Sequence, residues 1–359
     1  RLVYAPPAHV GEYGGEIDNW MYPRHTGDFA LVRAYVGKDG TSKVYADDNI
    51  PFTSDSYLKI SAKGVEEDDF VMILGYPGRT NRLLTFNQRE YDLSEGFQNY
   101  VDFLESRINL IETHTNDEDG SSLVYRGTKS GAENYYKKIS GQIQGAKNFN
   151  VLENERNNWR GFMQYVEMNA TDQEKAYLAE LLAIIDKDIT TTESNRYFGG
   201  STLIQFANYL LRNAEQRNKP DLERKSGYQD RDQEAIQNQI KYLNNAFNIR
   251  VDKELFLANI KKYRTFDADL RRPIYSQALN LDSDENTMLL KIDEIYSTNY
   301  STPEKMLELY EMSFEEMMNL EDPLIDFLKV VYEENLSFEE KGEKSAARKQ
   351  LLKSKFIKL

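Results

Sequence analysis

The chain has 359 residues, of which 40% are apolar, 12% aromatic and 29% charged; that is enough material for more than one packed core and excludes disorder as the dominant state. Forty-five basic against 59 acidic side chains leave a net charge of -14, a sign that opposes a phosphate backbone or an anionic bilayer and argues against nucleic-acid and membrane partners. No cysteine is present, which excludes a thiol nucleophile, thiolate metal sites and disulfides without fixing the compartment.

The chain opens on Arg1 and an extended apolar stretch, Leu2-Val3-Tyr4, with no charged-then-apolar leader, and reads as a processed or excised piece. From there to about Thr85 the texture is short and strand-like. Candidate strands run over Asp28 to Val36, Val44 to Ala46, Tyr57 to Ile60 and Phe70 to Leu74. Lys38-Asp39-Gly40 carries a hairpin signal and Tyr76-Pro77-Gly78 closes the last apolar run. Five of the nine prolines fall before residue 80, a density that long helices do not tolerate. Residues 1–86 therefore read as all-β.

From Asn87 onward the period changes. Apolar residues recur at three and four in Leu178, Leu181, Leu182 and Ile185, in Leu255, Phe256 and Ile260, and in Leu324, Ile325, Leu328 and Val331. Ser313 with Glu316 and Thr302-Pro303-Glu304 predict helix starts, and Gly161 and Gly199-Gly200 predict stops or hinges. The charged stretches Asp221 to Arg231 and Glu339 to Lys355 read as solvated helix faces. The longest apolar runs, such as Leu181 to Ile185, fall far short of the roughly 20 residues of a membrane helix. Residues 87–359 form a large helical segment in this reading.

Chemistry is sparse. The three histidines are His9, His25 and His114, the last in a stretch that reads as a surface loop. His25 and Asp28 would supply two metal ligands, but zinc requires three or four and no second cluster stands at a suitable spacing, so no metal and no cofactor is expected. Asp28 enters from Gly27 into an alternating run. It has two readings: a turn residue bonding its own backbone, or a buried, fixed carboxylate of the kind that orients the imidazole of a Ser-His-Asp triad.

The run Arg1-Leu2-Val3-Tyr4-Ala5-Pro6-Pro7 and the motif from Gly14 to Phe29, with Asn19-Trp20-Met21-Tyr22-Pro23-Arg24-His25-Thr26-Gly27-Asp28 at its centre, strongly resemble the bacterial chymotrypsin-related dipeptidyl-peptidase family, exopeptidases of the dipeptidyl peptidase 7/11 type. Gly75-Tyr76-Pro77-Gly78-Arg79-Thr80-Asn81-Arg82 resembles the same family's turn after a buried strand. The resemblance implies an α+β multi-domain fold: a portion of a chymotrypsin-like antiparallel β-barrel over 1–86, then an inserted α-helical cap domain over 87–359. It implies a serine exopeptidase that releases dipeptides from peptides with a free N-terminus, a homodimer, and a periplasmic or cell-surface location.

Residue by residue, the resemblance makes Asp28 the triad acid and gives Asn19, Trp20 and Asn134 the substrate's amino terminus. Two carboxamide oxygens can accept from an α-ammonium, and an aromatic wall adds cation–π attraction of roughly 0.5–2 kcal/mol. Taken alone, Asn134 reads as an exposed helix residue. Position 22 is Tyr where relatives often carry Trp. The family's histidine lies upstream of the matched region and its serine in a Gly-Asn-Ser-Gly-type loop downstream; none of Gly120-Ser121-Ser122, Ser130-Gly131, Ser140-Gly141 or Gly199-Gly200-Ser201 has that pattern. The chain is therefore expected to be an interior piece, inactive by itself. Acidic and hydrophobic preferences for the second substrate residue both stay open. Two rivals remain: a non-catalytic peptide-binding module that grips partners through Trp159, Phe162 and Tyr165, and a metal-dependent hydrolase built on His25 and Asp28, which a chelator would inhibit.

Overall fold

The computed structural model describes residues 1–75, 84–245 and 247–356. The chain divides into two compact units, Arg1–Leu83 and Leu84–Leu359.

The first unit contains two small antiparallel ladders. Strand β1 (Leu2–Tyr4) pairs with β2 (Leu31–Val32), Leu2 opposite Val32 and Tyr4 opposite Leu31. Strand β3 (Tyr35–Val36) pairs with β4 (Ile50–Pro51). A four-residue helix, α1 (Ala8–Gly11), stands between β1 and β2. The expected β-barrel portion is corrected here: among the described residues no barrel forms, and the four strands are two or three residues long. Asp28 to Val36 yields only β2 and β3, while Val44 to Ala46, Tyr57 to Ile60 and Phe70 to Leu74 form no strand at all.

The physical reason lies in what alternation specifies. It marks the face a strand would bury, but a strand exists only where a second one takes up its N–H and C=O groups. Those runs have no such partner among the described residues, and their side chains stay in solvent: Ile60 is 98% exposed and Ile73 95%. Gly37 is the one buried residue among the described residues of the first unit. The Lys38-Asp39-Gly40 turn does form, with the Gly40 amide donating to the Gly37 carbonyl at 2.8 Å and Asp39 accepting from the Thr41 amide at 3.2 Å. Of the Gly75-to-Arg82 motif, including the Tyr76-Pro77-Gly78 turn, everything after Gly75 lies outside the described residues.

The second unit is helical. After α2 (Phe86–Tyr91) and a π-helical turn at Asp92–Gly96 come α3 (Phe97–His114), α4 (Ser121–Asn148), α5 (Val151–Asn169), α6 (Asp172–Tyr197) and α7 (Thr202–Arg217). There follow α8 (Gln233–Lys241), α9 (Ile249–Tyr263), α10 (Pro273–Ala278), α11 (Glu285–Tyr296), α12 (Pro303–Glu311), α13 (Phe314–Asn319) and the long α14 (Pro323–Phe356). The three-and-four periodicity is what builds the core: Leu178, Leu181 and Ile185, Leu255, Phe256 and Ile260, and Leu324, Ile325, Leu328 and Val331 are all buried. Helices α7 to α14 share one apolar core, while Ile111, Tyr125, Val251 and Leu255 form a satellite that ties α3 and α4 to α9. Each fully buried Leu or Ile contributes about 1.5–3 kcal/mol.

Ser313 and Glu316 form the expected capping box of α13, and Thr302 caps α12 with Pro303 in its first turn. Gly199 and Gly200 separate α6 from α7 as expected; a Cβ on Gly200, whose φ is +95°, would fall 2.1 Å from Asn259 Nδ2. Gly161, in contrast, sits inside α5, where a single glycine is tolerated, and His114 ends α3 instead of lying in a loop. Asp221 to Arg231 forms short 3-10 turns, not a helix face. Within Glu339 to Lys355, Arg348 pairs with Glu180 and Lys349 with Asp188.

Asp252, 1% exposed, binds three elements together. Its carboxylate accepts from Ser201 Oγ at 2.7 Å and from the Thr202 amide at 2.7 Å, and lies 2.8 Å from the Tyr296 hydroxyl. An anion at the N-terminus of α7 is also favoured by the helix dipole. Among the described residues no helix is long and apolar enough to cross a membrane.

Candidate functional site

Residues 13–29 of the first unit form a loop held by side-chain cross-links. Thr26 Oγ1 donates to the Tyr13 carbonyl at 2.9 Å, Arg24 Nε donates to Thr26 Oγ1 at 2.9 Å, and the Gly27 amide donates to the Val10 carbonyl at 2.9 Å. Gly14, at φ +79°, lies so close to Asp18 that a Cβ would fall 2.0 Å from its Oδ2.

Asn19 is the hub of this loop. It is half-buried; its Nδ2 donates to Glu16 Oε2 at 2.8 Å, and its Oδ1 accepts from Arg24 Nη1 at 3.0 Å and from the Trp20 amide at 3.1 Å. Both ends of the carboxamide are thus engaged, which fixes the orientation of the group. Trp20 follows in the left-handed region at φ +60°, uncommon and costly for a bulky side chain, and presents a ring that is 61% exposed. Trp20 is therefore not a core tryptophan. The roles of Glu16, Arg24 and Thr26 escape a reading by residue type alone, although all three fall inside the motif that marks the segment.

Asp28 lies on this same loop but outside its cross-links. It is exposed, and neither His9 nor His25 hydrogen-bonds to it among the described residues. The strand that it was expected to enter begins later, at Leu31. A cleft of about 740 Å³ in this unit lies over Arg33 to Asn49, and none of Asn19, Trp20 and Asp28 lines it. Among the described residues no group of three or more His, Asp or Glu side chains is placed to hold a metal ion.

Asn134 belongs to the second unit, on α4. The buried residues Tyr125, Ala132 and Ile139 recur every seven and define the face of α4 that packs inward. Asn134, two residues beyond Ala132, is turned about 200° from that face and is half-buried. Arg126, Ser130, Asn134 and Lys137 follow at spacings of four, four and three, so they share one polar stripe of α4. Beside it, Lys138 stands 5.4 Å from the centre of the Tyr135 ring, and the Tyr135 ring packs edge-on against Tyr100. The site residues thus divide between a braced polar loop carrying an exposed tryptophan and a rigid helix carrying a carboxamide. Acceptor oxygens with an aromatic wall suit a cation better than an anion.

A family model described as Peptidase S46 matches residues 1–358. Among curated relatives, an Asp/Glu-specific dipeptidyl-peptidase of Shewanella putrefaciens is 33% identical over 348 residues, covering 96% of this chain and 47% of the relative. A second Asp/Glu-specific dipeptidyl-peptidase, from Flavobacterium psychrophilum, is 31% identical and covers 74% of this chain and 37% of the relative. Dipeptidyl-peptidase 7 of Capnocytophaga gingivalis is 39% identical over 143 residues, 40% of this chain and 20% of the relative. In fold, the chain is similar to the crystal structure of Porphyromonas endodontalis DPP11 in complex with the dipeptide Arg-Asp, with a TM-score of 0.66 at 20% identity, covering 100% of this chain and 52% of the other. The chain spans about half the length of the curated relatives it matches.

Proposed function

The chain belongs to the peptidase S46 family, and from that premise we propose that it is part of a serine dipeptidyl peptidase, which removes dipeptides from the free N-termini of oligopeptides. The observation that carries this reading is the match along residues 1–358 to a peptidase family whose curated relatives are named as dipeptidyl-peptidases. The braced loop at Asn19 and Trp20 adds a chemical reason: it offers a fixed carboxamide oxygen and an exposed ring to a cation.

In this mechanism the serine attacks the carbonyl of the second substrate residue. A histidine serves as general base and then as general acid for the leaving amine, and Asp28 holds the imidazole in the productive tautomer and stabilises the imidazolium. Asn19, Trp20 and Asn134 hold the substrate ammonium, which leaves room for two residues before the nucleophile. Because Asn19 Oδ1 already accepts from Arg24, the ammonium takes the place of the guanidinium, one cation for another. Asp28 must also gain a partner, since its carboxylate is exposed and no imidazole hydrogen-bonds to it among the described residues.

Within residues 1–359 only the triad acid is assigned, so the chain alone is proposed to be inactive. Relatives named for Asp/Glu specificity and relatives named dipeptidyl-peptidase 7 both match, and no residue assigned here chooses between acidic and hydrophobic second residues. A homodimer and a periplasmic or cell-surface location belong to the same proposal and rest on the family resemblance.

The test is hydrolysis by the full-length protein of a panel of fluorogenic dipeptides, with acidic and hydrophobic second residues, beside their N-acetylated twins. Cleavage restricted to the free-amine set is the expected result. Equal cleavage of the acetylated twins would make the protein an endopeptidase, and no cleavage across the panel would favour a peptide-binding module.

A further inference from the structure

The second unit contains a cleft that the peptidase reading does not use. It has a volume of about 500 Å³, within the range of small-molecule sites, and lies among α7, α14, the Phe198-Gly199 connection and the start of α10. Arg272 reaches into its lining between two rings, its guanidinium carbon 3.7 Å from the centre of Phe198 and 4.1 Å from that of Phe338. Stacking on both faces leaves a guanidinium only its edge for hydrogen bonding. On that edge Nη1 donates to Asn335 Oδ1 at 3.0 Å, and Nε, buried, has no partner among the described residues. Asn335 in turn donates to Asn208 Oδ1 at 3.2 Å, which keeps its own oxygen turned to the arginine.

The charge count around the cleft is uneven. Arg212, also in the lining, pairs with Glu215 and Glu339. Arg272 makes no ion pair among the described residues. Burial pulls its pKa down and Glu334 acts through space to raise it, but the Glu334 oxygens are taken by the amides of Ile274 and Tyr275 at 2.9 and 3.0 Å. An arginine cannot shed its proton to relieve this, so it stays a partly desolvated cation without a counter-ion in contact.

A second group points the same way. Tyr275, 3% exposed, lines the cleft, and its hydroxyl has no hydrogen-bond partner among the described residues. Burial drives the phenol strongly upward in pKa, so it remains a neutral donor. A lone buried donor is expensive to leave unmet. Here it occurs three residues from Arg272 in the same lining, in a cleft where Phe327, Leu328 and Val331 of α14 offer an apolar side and Gln205, Asn208 and the Arg212-paired Glu339 a polar one.

We propose that this cleft binds a small organic carboxylate with an apolar side group, its oxygens on Arg272 and on the Tyr275 hydroxyl and its apolar part against α14. A carboxylate is favoured over a bulkier anion because two coplanar oxygens match the edge of a stacked guanidinium, whereas phosphate presents a tetrahedron.

The test titrates the full-length protein calorimetrically with N-acetyl-leucine, with N-acetyl-leucinamide, and with inorganic phosphate. Saturable binding of the acid alone is expected, weakened by about tenfold or more in Arg272→Gln, as for loss of a charge-assisted hydrogen bond. Tyr275→Phe removes a hydroxyl that has no hydrogen-bond partner among the described residues, so it should fold normally, with an unchanged or higher Tm, and bind the acid several-fold more weakly. No saturable binding of the acid, equal binding of the amide, or binding of phosphate in its place would overturn the proposal. Should Arg272→Gln fail to fold, Tyr275→Phe decides alone, and unchanged affinity there would overturn it.

Discussion

The two units of the chain hold their important side chains by different means. In the helical unit, Asp252 is buried among Ser201, Tyr296 and the first amides of α7, and helices α7 to α14 close around a continuous apolar core. In the first unit Asn19 is fixed by Glu16 and Arg24 at a half-buried position, Trp20 and Asp28 stand in solvent, and Gly37 is the one buried residue among those described. The difference teaches where a substitution should register. Changes at the solvent-exposed Trp20 and Asp28 should alter chemistry and leave folding intact, whereas changes in the helical core should alter stability first.

The largest expected effect sharpens the first half of that contrast. Asp28→Asn in the full-length protein should lower kcat by roughly 10⁴, the scale seen when a triad acid is neutralised, with a thermal melt that matches the wild type. A wild-type turnover number would remove Asp28 from the triad; a collapsed melt would show that it holds the fold and not the histidine.

Next comes the helical side. Asp252→Ala strips acceptors from Ser201 and Tyr296 and from an amide of α7, and should cost about 3 kcal/mol or more of unfolding free energy in denaturant titrations. A loss under ~1 kcal/mol would break the contrast, because the network would then be ornament on a core that stands without it.

Asn134→Ala crosses the contrast, since it places a recognition role on the rigid unit. Losing one hydrogen bond to a charged amine should cost about 1.5–3 kcal/mol in transition-state binding, read as a drop in kcat/KM. An unaltered specificity constant would take Asn134 out of the amine site.

The smallest effect concerns pH. The Ser121 side chain and amide and the Arg250 guanidinium hold the Asp119 carboxyl at about 2, down from 3.8. A group depressed in the folded state contributes fully above its ordinary range and loses that contribution as pH falls through its folded value. The stability gap between wild type and Asp119→Asn should therefore be constant above about pH 5 and close between about pH 4 and 2. A gap that widened on acidification would have the wrong sign.

How much of this was legible beforehand follows from the range of each interaction. A helix closes its own hydrogen bonds four residues away, so the spacing of Leu324, Ile325, Leu328 and Val331 already carried both the backbone and the buried face of α14. Ser313 and Glu316 likewise announced their cap. A strand depends on a partner that its own residues do not name, and Tyr57 to Ile60 and Phe70 to Leu74 accordingly have strand texture without strands. The Asn19-to-Asp28 motif was conspicuous by composition, yet its bracing by Glu16 and Thr26 is a matter of side-chain geometry. The Arg272 cleft left no trace in the sequence at all, since Phe198, Arg272 and Phe338 meet only through packing.

The most direct measurement is the ratio of kcat/KM for a free-amine dipeptide substrate to that for its N-acetylated twin, taken on full-length wild type, Asp28→Asn and Asn134→Ala. A dipeptidyl peptidase built this way should show a large ratio in the wild type, turnover lost in Asp28→Asn, and a ratio reduced about tenfold or more in Asn134→Ala. A ratio near unity in the wild type, or full turnover in Asp28→Asn, would contradict it.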